Sequence, residues 1–423
     1  MSINQICMIS VNKTELPRTQ SLEWYERATK VIPGGTYGHT SPAATLPYYF
    51  PYYVDRAEGC YLWDVDGNRY LDFMCAYGPV ILGHRHPEVE AAADAERKKG
   101  GLYSHPTTVM VELAELLVAR IDFADWCVFG KNGSDMTTWS LQVARQATGK
   151  KKVLVIKGAY HGVDAWTNPS PGGIIEEDRS HVHTFKWNDI QSLRETASAH
   201  KGEVAAIMVT PFHHPAFGAN QMPETAFVEA VNDLCEKESI VLIMDDIRAG
   251  FRISDNGSHG LFGWKPDLSC YCKAIGNGYP VSVTVGKEHL KDAGGKVFLT
   301  GSYWNDGIAL AACKKCLEII KDQSVPEKLA NVGQSLLDGL AKAAKANDVK
   351  IRCHGPTATP IISFDNDPDL RKMQRFSEFS AINGVLFHPH HNWFMSLAHN
   401  EEAIREAVEV AEKAFCAMKE EEI

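Results

Sequence analysis

Five short apolar runs in the middle of the chain, most of them tied to a helical pattern, limit the folds available to it. "WCVFGKNGSD" (126–135) leads into the helical "MTTWSLQVARQATG", and "KVLVIKGAYHG" (152–162) follows. "VAAIMVTPF" (204–212) precedes the helical "TAFVEAVNDLCEKES", and then come "IVLIMDD" (240–246) and "PDLSCYCK" (266–273). Unbroken apolar runs of this length suit strands buried on both faces. Strands separated by helices build βαβ units and a mostly parallel sheet. The expected fold class is therefore α/β, with a large domain over 65–320. The chain ends differ. Residues 21–64 hold a short helix, a Pro/Gly-rich stretch and the strand-like "YYVDRAEGCYLWDVDGNRYLDF", and 321–423 read helix, strand, strand, helix, strand, helix. These two segments are expected to form a smaller α+β domain together, behind a mobile tail at 1–20.

A chain of 423 residues has room for two or three domains. Its formal net charge of -10 argues against nucleic acid as a partner, since phosphate backbones select basic patches. A small anion held by backbone N–H groups remains compatible with that charge. No apolar stretch reaches the length of a membrane span, and the start lacks the pattern of a signal peptide. The 11 cysteines are odd in number and scattered, which suits free thiols in a reducing, cytoplasmic setting.

In open parallel sheets ligands sit beyond the carboxyl ends of the strands. After "CVF" comes "KNGSD", where Asn132, Gly133 and Ser134 open a helix whose free N–H groups suit an anion. A plain N-cap by Ser134 or Asp135 explains the same residues. After "VLVI" come Tyr160 and His161 in a Gly-flanked turn, where a ring could stack on a flat ligand or simply pack on its own domain. After "IVLIM" stand Asp245 and Asp246, which need partners if buried. Arg248 and Arg252 are the nearest in sequence; a cationic ligand atom is the alternative. After "LSCYC" stands Lys273, either a surface lysine or a buried amine that loses its proton and attacks carbonyls. An anion, a flat ring, a cationic ring nitrogen and an aldehyde together describe pyridoxal 5′-phosphate.

The chain from about Ser21 to about Met418 resembles the class III aminotransferases, enzymes of fold type I that use this cofactor. Within them it is most similar to the branch containing glutamate-1-semialdehyde aminomutase. The resemblance rests on "IPGGTYG" (32–38), "YLWDVDGNRYLDFMCAYGPVILGHRHPEV" (61–89), "NGSDMTTWSLQVARQATGKKKVLVIKGAYHG" (132–162), "IMDDIRAGFR" (243–252), "PDLSCYCKAIGNGYP" (266–280) and "GVLFHPHHNWFMSLAH" (384–399). It implies that Lys273 holds the cofactor aldehyde as a Schiff base and that Asp245 faces the pyridine nitrogen. It implies Ile247 and Tyr160 on the two ring faces, and Gly133 and Ser134 at the phosphate. "TGSYW" (300–304) matches a segment that reaches a neighbouring subunit's phosphate through Gly301 and Ser302, so a homodimer with shared active sites is expected.

Two departures bear on the substrate. Ser41 stands where the aminomutase carries its carboxylate-gripping arginine, and "HHNW" (390–393) replaces its acidic residue. Loss of a bidentate carboxylate clamp is not conservative. The "MCAYGP", "KNGSD", "DDIRAGFR" and "HPHHNWF" variants are more similar to the aminotransferases that deaminate hydrolysed fumonisin, an amino polyol without carboxylates.

The expected activity is transfer of an amino group from a long-chain or bulky amine to an α-keto acid such as pyruvate. A pyridoxal-phosphate aminomutase or racemase is the first alternative, and a non-catalytic regulator binding the same cofactor is the second. Arg248 is a candidate for the keto-acid carboxylate, with pairing to Asp246 as its structural alternative. Tyr37, His39, Tyr77, Trp166 and Trp393 are candidates for the substrate pocket, with core packing as theirs. "HPHHNW" and "CKKC" (313–316) resemble metal spacings, but further ligands would have to converge on them, so no metal is expected.

Overall fold

A computed structural model describes residues 16–37, 40–43, 45–215 and 218–421. Most of the tail expected over 1–20 lies outside the described residues; the first helix runs Thr19–Thr29. Three strands follow in a meander: β1 (Val54–Glu58), β2 (Tyr61–Asp64) and β3 (Arg69–Asp72). The large sheet contains β4 (Trp126–Gly130), β5 (Lys152–Ile156), β6 (Val182–Phe185), β7 (Val204–Val209), β8 (Val241–Asp245), β9 (Leu268–Tyr271) and β10 (Ser282–Gly286). The last hundred residues add β11 (Ile351–His354), β12 (Ile361–Phe364) and β13 (Val385–Leu386).

The large sheet has the order β4-β10-β9-β8-β7-β5-β6. The β6-β5, β5-β7, β7-β8 and β8-β9 pairs are parallel, while β10 is antiparallel to both β9 and β4. Two reversals return β4 to the common direction, so β4, β5, β7, β8 and β9 all end on the same edge. The apolar runs explain the layering. Every residue of β7 and of β8 is buried, as strands covered by helices on both faces must be. The strands absent from the sequence reading are β6, a short strand at the edge of the sheet, and β10, whose "SVTVG" alternates small polar and apolar residues.

The polar residues of β10 have a packing reason. Ser140 on the helix Gly133–Thr148 meets Thr284 Oγ1 at 3.0 Å and Cys270 Sγ at 3.3 Å. Small side chains let that helix lie close on the sheet, and the Ser140 and Thr284 hydroxyls satisfy each other where water is excluded. The helix stops at Gly149, whose φ of 67° suits the left-handed C-terminal position.

The smaller sheet has the order β1-β2-β3-β13, joining the two ends of the chain. β3 and β13 pair in parallel, Val385 opposite Leu71. β11 and β12 form a separate hairpin. After the helix Gly307–Asp322, the order beyond 321 is the helix Val325–Ala346, β11, β12, the helix Arg371–Ile382, β13 and the helix Glu401–Glu420, the order read from the sequence. No helix among the described residues is long and apolar enough to cross a membrane.

Candidate active site

The turn after β4 is built first by its cap. Asp135 Oδ2 accepts from Lys131 N at 3.0 Å and Asn132 N at 2.8 Å, which fixes the start of the helix Gly133–Thr148. The first helical amides then have no intrahelical acceptor. A Cβ on Gly133 would sit 2.6 Å from Ile247 Cδ1, so a glycine is required for the isoleucine to lie there. The turn after β5 locks onto this one. Val163 N donates to Ser134 Oγ at 3.1 Å, and Thr137 Oγ1 donates to His161 O at 2.6 Å. Gly162 has φ +127°, and a Cβ there would be 2.5 Å from Ser134 Oγ.

His161 is buried and its Nδ1 lies 2.8 Å from Asp245 Oδ2, which joins the β5 end to the β8 end. A carboxylate partner places the proton on Nδ1; Nε2 has no partner among the described residues. Trp166 backs the imidazole, its ring nearly parallel at 10° and 6.5 Å between centroids, with Nε1 donating to Thr138 Oγ1 at 2.8 Å. Tyr160 stands at the mouth and is 41% exposed. The adjacent carboxylate of Asp246 has its own partners. It accepts from Ser258 N at 2.7 Å and Ser258 Oγ at 2.8 Å, and burial pushes its pKa up to about 8.

Lys273 follows β9 with φ 50°, a left-handed conformation that turns the chain sharply at the strand end. The turn beyond it is pinned by Asn277, whose Oδ1 accepts from Ile81 N and Leu82 N at 3.1 and 2.8 Å and whose Nδ2 donates to Gly83 O at 3.0 Å. Gly78 leaves room for Phe394, because a Cβ there would be 2.9 Å from its Cε1, with Lys273 Cδ next at 3.4 Å. The amine makes no ion pair or hydrogen bond with a described residue. Desolvation, then the neighbouring Arg248 charge, lower its pKa to about 7.

The two arginines do not serve as partners of Asp245 and Asp246. Arg248 Nη1 donates to Asn392 Oδ1 at 2.5 Å, and its Nε has no partner among the described residues. Burial lowers its pKa to about 10. Arg252 is fully buried and donates to the carbonyls of Gly78, at 2.6 Å, and Met395. Both guanidiniums are therefore held by neutral oxygens, and the alternative of an Arg248–Asp246 pair is not what forms.

Of the other pocket candidates, Tyr77 faces the site, its hydroxyl 3.2 Å from His388 Nε2. Trp393 is a correction. It is 0% exposed, donates to His388 O at 3.0 Å and packs on Phe387 at 4.4 Å, so it is core behind the wall. Tyr37 is 81% exposed and is not packed into a wall of the described residues. His39 lies outside the described residues. Gly301 and Ser302 sit in a turn at the surface. Cys313 and Cys316 are both buried in the helix Gly307–Asp322.

Four residues near Lys273 and Arg248 have no counterpart among the sequence candidates: His214, His388, His391 and Asn392. Lys273 and Arg248 act on His214 and His391, whose pKa values desolvation already pushes well below the usual imidazole range. His388 lies behind them, its Nδ1 accepting from His390 N at 3.3 Å, which leaves Nε2 as the donor to Tyr77. The signals were present. His214 follows β7, a fifth strand end on the same edge, and the other three lie in "HPHHNW", set aside as a failed metal motif.

The family model for class-III aminotransferases matches residues 46–415. An aminopentol aminotransferase of Sphingopyxis macrogoltabida is 40% identical over 400 residues, covering 95% of this chain and 94% of that protein. A 3-aminobutyryl-CoA aminotransferase of Cloacimonas acidaminovorans (strain Evry) is 32% identical over 412 residues, covering 96% and 99%. The solved structure of the FumI protein of Sphingopyxis sp. MTA144, in a pyridoxal-phosphate form, superposes with a TM-score of 0.93 at 40% identity, covering 95% and 96% of the two chains. The architecture is that of fold type I transferases, and the chain belongs to the class-III aminotransferases.

Proposed function

We propose that this aminotransferase, with pyridoxal 5′-phosphate as its cofactor, takes its amino group from an amine without an α-carboxylate. A long-chain amine or an amino polyol is such a donor, and pyruvate is the expected acceptor. The observation that carries the reading is a partly buried, unpaired lysine amine at the end of β9 that feels the charges of Arg248 and of Asp245, the latter paired with His161. Two features support the donor class: Ser41 in place of a carboxylate-gripping arginine, and similarity to enzymes named for aminopentol and for 3-aminobutyryl-CoA.

The residues fit the cofactor. The Gly133 position is a cradle that a Cβ would fill, and Ile247 lies against it. Free amides at the start of the helix Gly133–Thr148 suit a phosphate. Asp245, oriented by His161, would keep a ring nitrogen protonated. Ile247 and Tyr160 would cover the two ring faces. When bound, the cofactor supplies the aldehyde that accepts the amino group and the ring that accepts electrons. Lys273, half neutral near pH 7, would hold the aldehyde group, and its amine, once released, would serve as the base that takes a proton from the donor Cα. Arg248, whose resting partner is the neutral Asn392, meets the keto-acid carboxylate.

Exposed Ser302, Tyr303 and Phe298 support a homodimer in which Gly301 and Ser302 complete the neighbour's phosphate site. The free thiols of the described cysteines suit the cytoplasm.

A donor screen with pyruvate, reading alanine, tests the activity, with Lys273→Ala as the inactive control. Undiminished alanine formation in that variant refutes the assignment. Amine supplied without keto acid separates the alternatives, since a transferase stops after one half-reaction whereas an isomerase continues.

A further inference from the structure

Three hydroxyls of the helix Gly133–Thr148, those of Ser134, Thr137 and Thr138, reach the loop after β5. A threonine inside a helix commonly donates back to a carbonyl one turn earlier, and Thr137 lies 3.2 Å from Ser134 O in that way. Thr138 does not. Its Oγ1 accepts from Trp166 Nε1 at 2.8 Å and donates to Asp164 Oδ2. The turn that carries Trp166 is closed on itself. Asp164 O accepts from Thr167 N and Asn168 N at 2.9 and 2.8 Å, and Arg179 donates to Ala165 O at 3.3 Å and to Asn168 O at 2.5 Å. The indole therefore has a fixed seat.

The imidazole beside it has one soft angle. Thr137 holds the His161 backbone at its carbonyl, and Nδ1 bonds Asp245 Oδ2 at 2.8 Å. Nε2 is buried without a partner among the described residues, so no second hydrogen bond fixes the ring. The last torsion of a histidine has a broad minimum, and a ring held at one nitrogen can tilt about that bond. Trp166 lies parallel to it within 10°, offset with 6.5 Å between centroids, and closes that side. Asp245 depends on the outcome. Its Oδ1 accepts from Ile247 N at a long 3.3 Å, so His161 sets the direction of the carboxylate. We propose that Thr138, acting through Trp166 and His161, is a positioning residue for the Asp245 carboxylate and so for its hydrogen bond to the cofactor ring nitrogen. This rests on the reading above in which Asp245 faces that nitrogen. It gives Trp166 a task other than lining the substrate pocket. A charge-assisted hydrogen bond is strong only when well aligned, and a tilted imidazole turns the carboxylate away.

The test compares two ligands on the full, cofactor-free chain: pyridoxal phosphate, and its analogue with carbon in place of the ring nitrogen. Equilibrium dialysis gives both dissociation constants, and their ratio reports the contact at the nitrogen. The wild type is expected to prefer pyridoxal phosphate. Thr138→Val keeps the shape and removes the hydroxyl, and it should cut that preference about fivefold, through weaker binding of pyridoxal phosphate alone. Thr138→Ser should restore it. Trp166→Phe keeps a ring but loses the N–H, so it should match Thr138→Val, and the double variant should be no worse than either. Equal weakening of both ligands marks a merely structural role and overturns the proposal, as does an unchanged preference in Thr138→Val and Trp166→Phe. If Thr138→Val binds neither ligand, Trp166→Phe and Thr138→Ser decide. A wild type that binds the two ligands equally would instead remove the reading that Asp245 faces the ring nitrogen.

Discussion

Lys273 should capture the cofactor at a pH where ordinary lysines cannot. Desolvation and Arg248 bring its pKa to about 7 from 10.5. At pH 7 roughly half of the Lys273 side chains are then neutral, against about 3 in 10,000 for an unperturbed lysine. The neutral amine is the form that attacks an aldehyde. Cofactor-free protein mixed with pyridoxal phosphate at pH 7 should react on the order of 1,000-fold faster than a free lysine side chain with equal access. The rate should rise about tenfold per pH unit below pH 7 and level off above about pH 8. Stopped-flow absorbance reads it directly. Arg248→Met removes the second cause of the shift and leaves the first, so the midpoint should move up by about one pH unit. A rate that keeps climbing to pH 10 in the wild type, or a midpoint unmoved in Arg248→Met, would refute the account.

Three further outcomes follow from contacts already described. Gly133→Ala should push Ile247 aside and weaken cofactor binding by about tenfold, and adding Ile247→Ala should restore much of the loss; equilibrium dialysis measures both. Asn392→Asp gives Arg248 a carboxylate of its own, so the pyruvate KM should rise roughly tenfold while the amine KM holds, and an unchanged pyruvate KM sinks that role for Arg248. Lys273→Met should stabilise the cofactor-free fold. A lowered folded pKa means that the unfolded chain binds more protons between about pH 7 and 10.5, so stability rises across that window and the penalty is complete below it. Allowing for the solvent-accessible part of the side chain, a gain of about 2 kcal/mol is expected in urea unfolding at pH 6.5, shrinking towards pH 10.

The large sheet was legible because β7 and β8 are wholly buried and leave unbroken apolar runs in the sequence. β10 was not legible, since its Thr284 pairs with the hydroxyl of Ser140, on a helix far away in sequence, and with the Cys270 thiol of β9. The proposed cofactor side of the site, Gly133, Tyr160, His161, Asp245 and Lys273, lies at strand ends, where fold topology assigns position. The substrate side comes from segments without a period. Trp393 and His391 are two residues apart in one loop, yet one is core and the other faces the pocket. Only packing against Phe387 and Tyr77 separates them. The Arg248 partner, Asn392, lies 144 residues away, and no local spacing announces it.

The substrate wall is held in place by strain that Arg252 offsets. Cys75, Ala76 and Tyr77 have φ of 45°, 54° and 62° in succession, left-handed values that cost about 1 kcal/mol or more for each residue with a Cβ. Asp72 Oδ1 answers part of this by accepting from Met74 N at 2.9 Å and Cys75 N at 3.0 Å. Arg252 answers the rest. One guanidinium nitrogen holds Gly78 O at 2.6 Å and another holds Met395 O, so the Tyr77 turn and the His391 loop are tied through one buried side chain. Arg252 makes no hydrogen bond or ion pair with Lys273, Asp245 or His161 among the described residues, and its charge adds only a minor part to the lowered lysine pKa. Arg252→Met keeps much of the volume and removes both ties, leaving two buried carbonyls unpaired. Discrimination between amine donors should then fall several-fold while cofactor absorbance persists, because Asp245, His161 and Lys273 are anchored by other contacts. Loss of cofactor with donor preference intact would show that the tie serves the cofactor side instead.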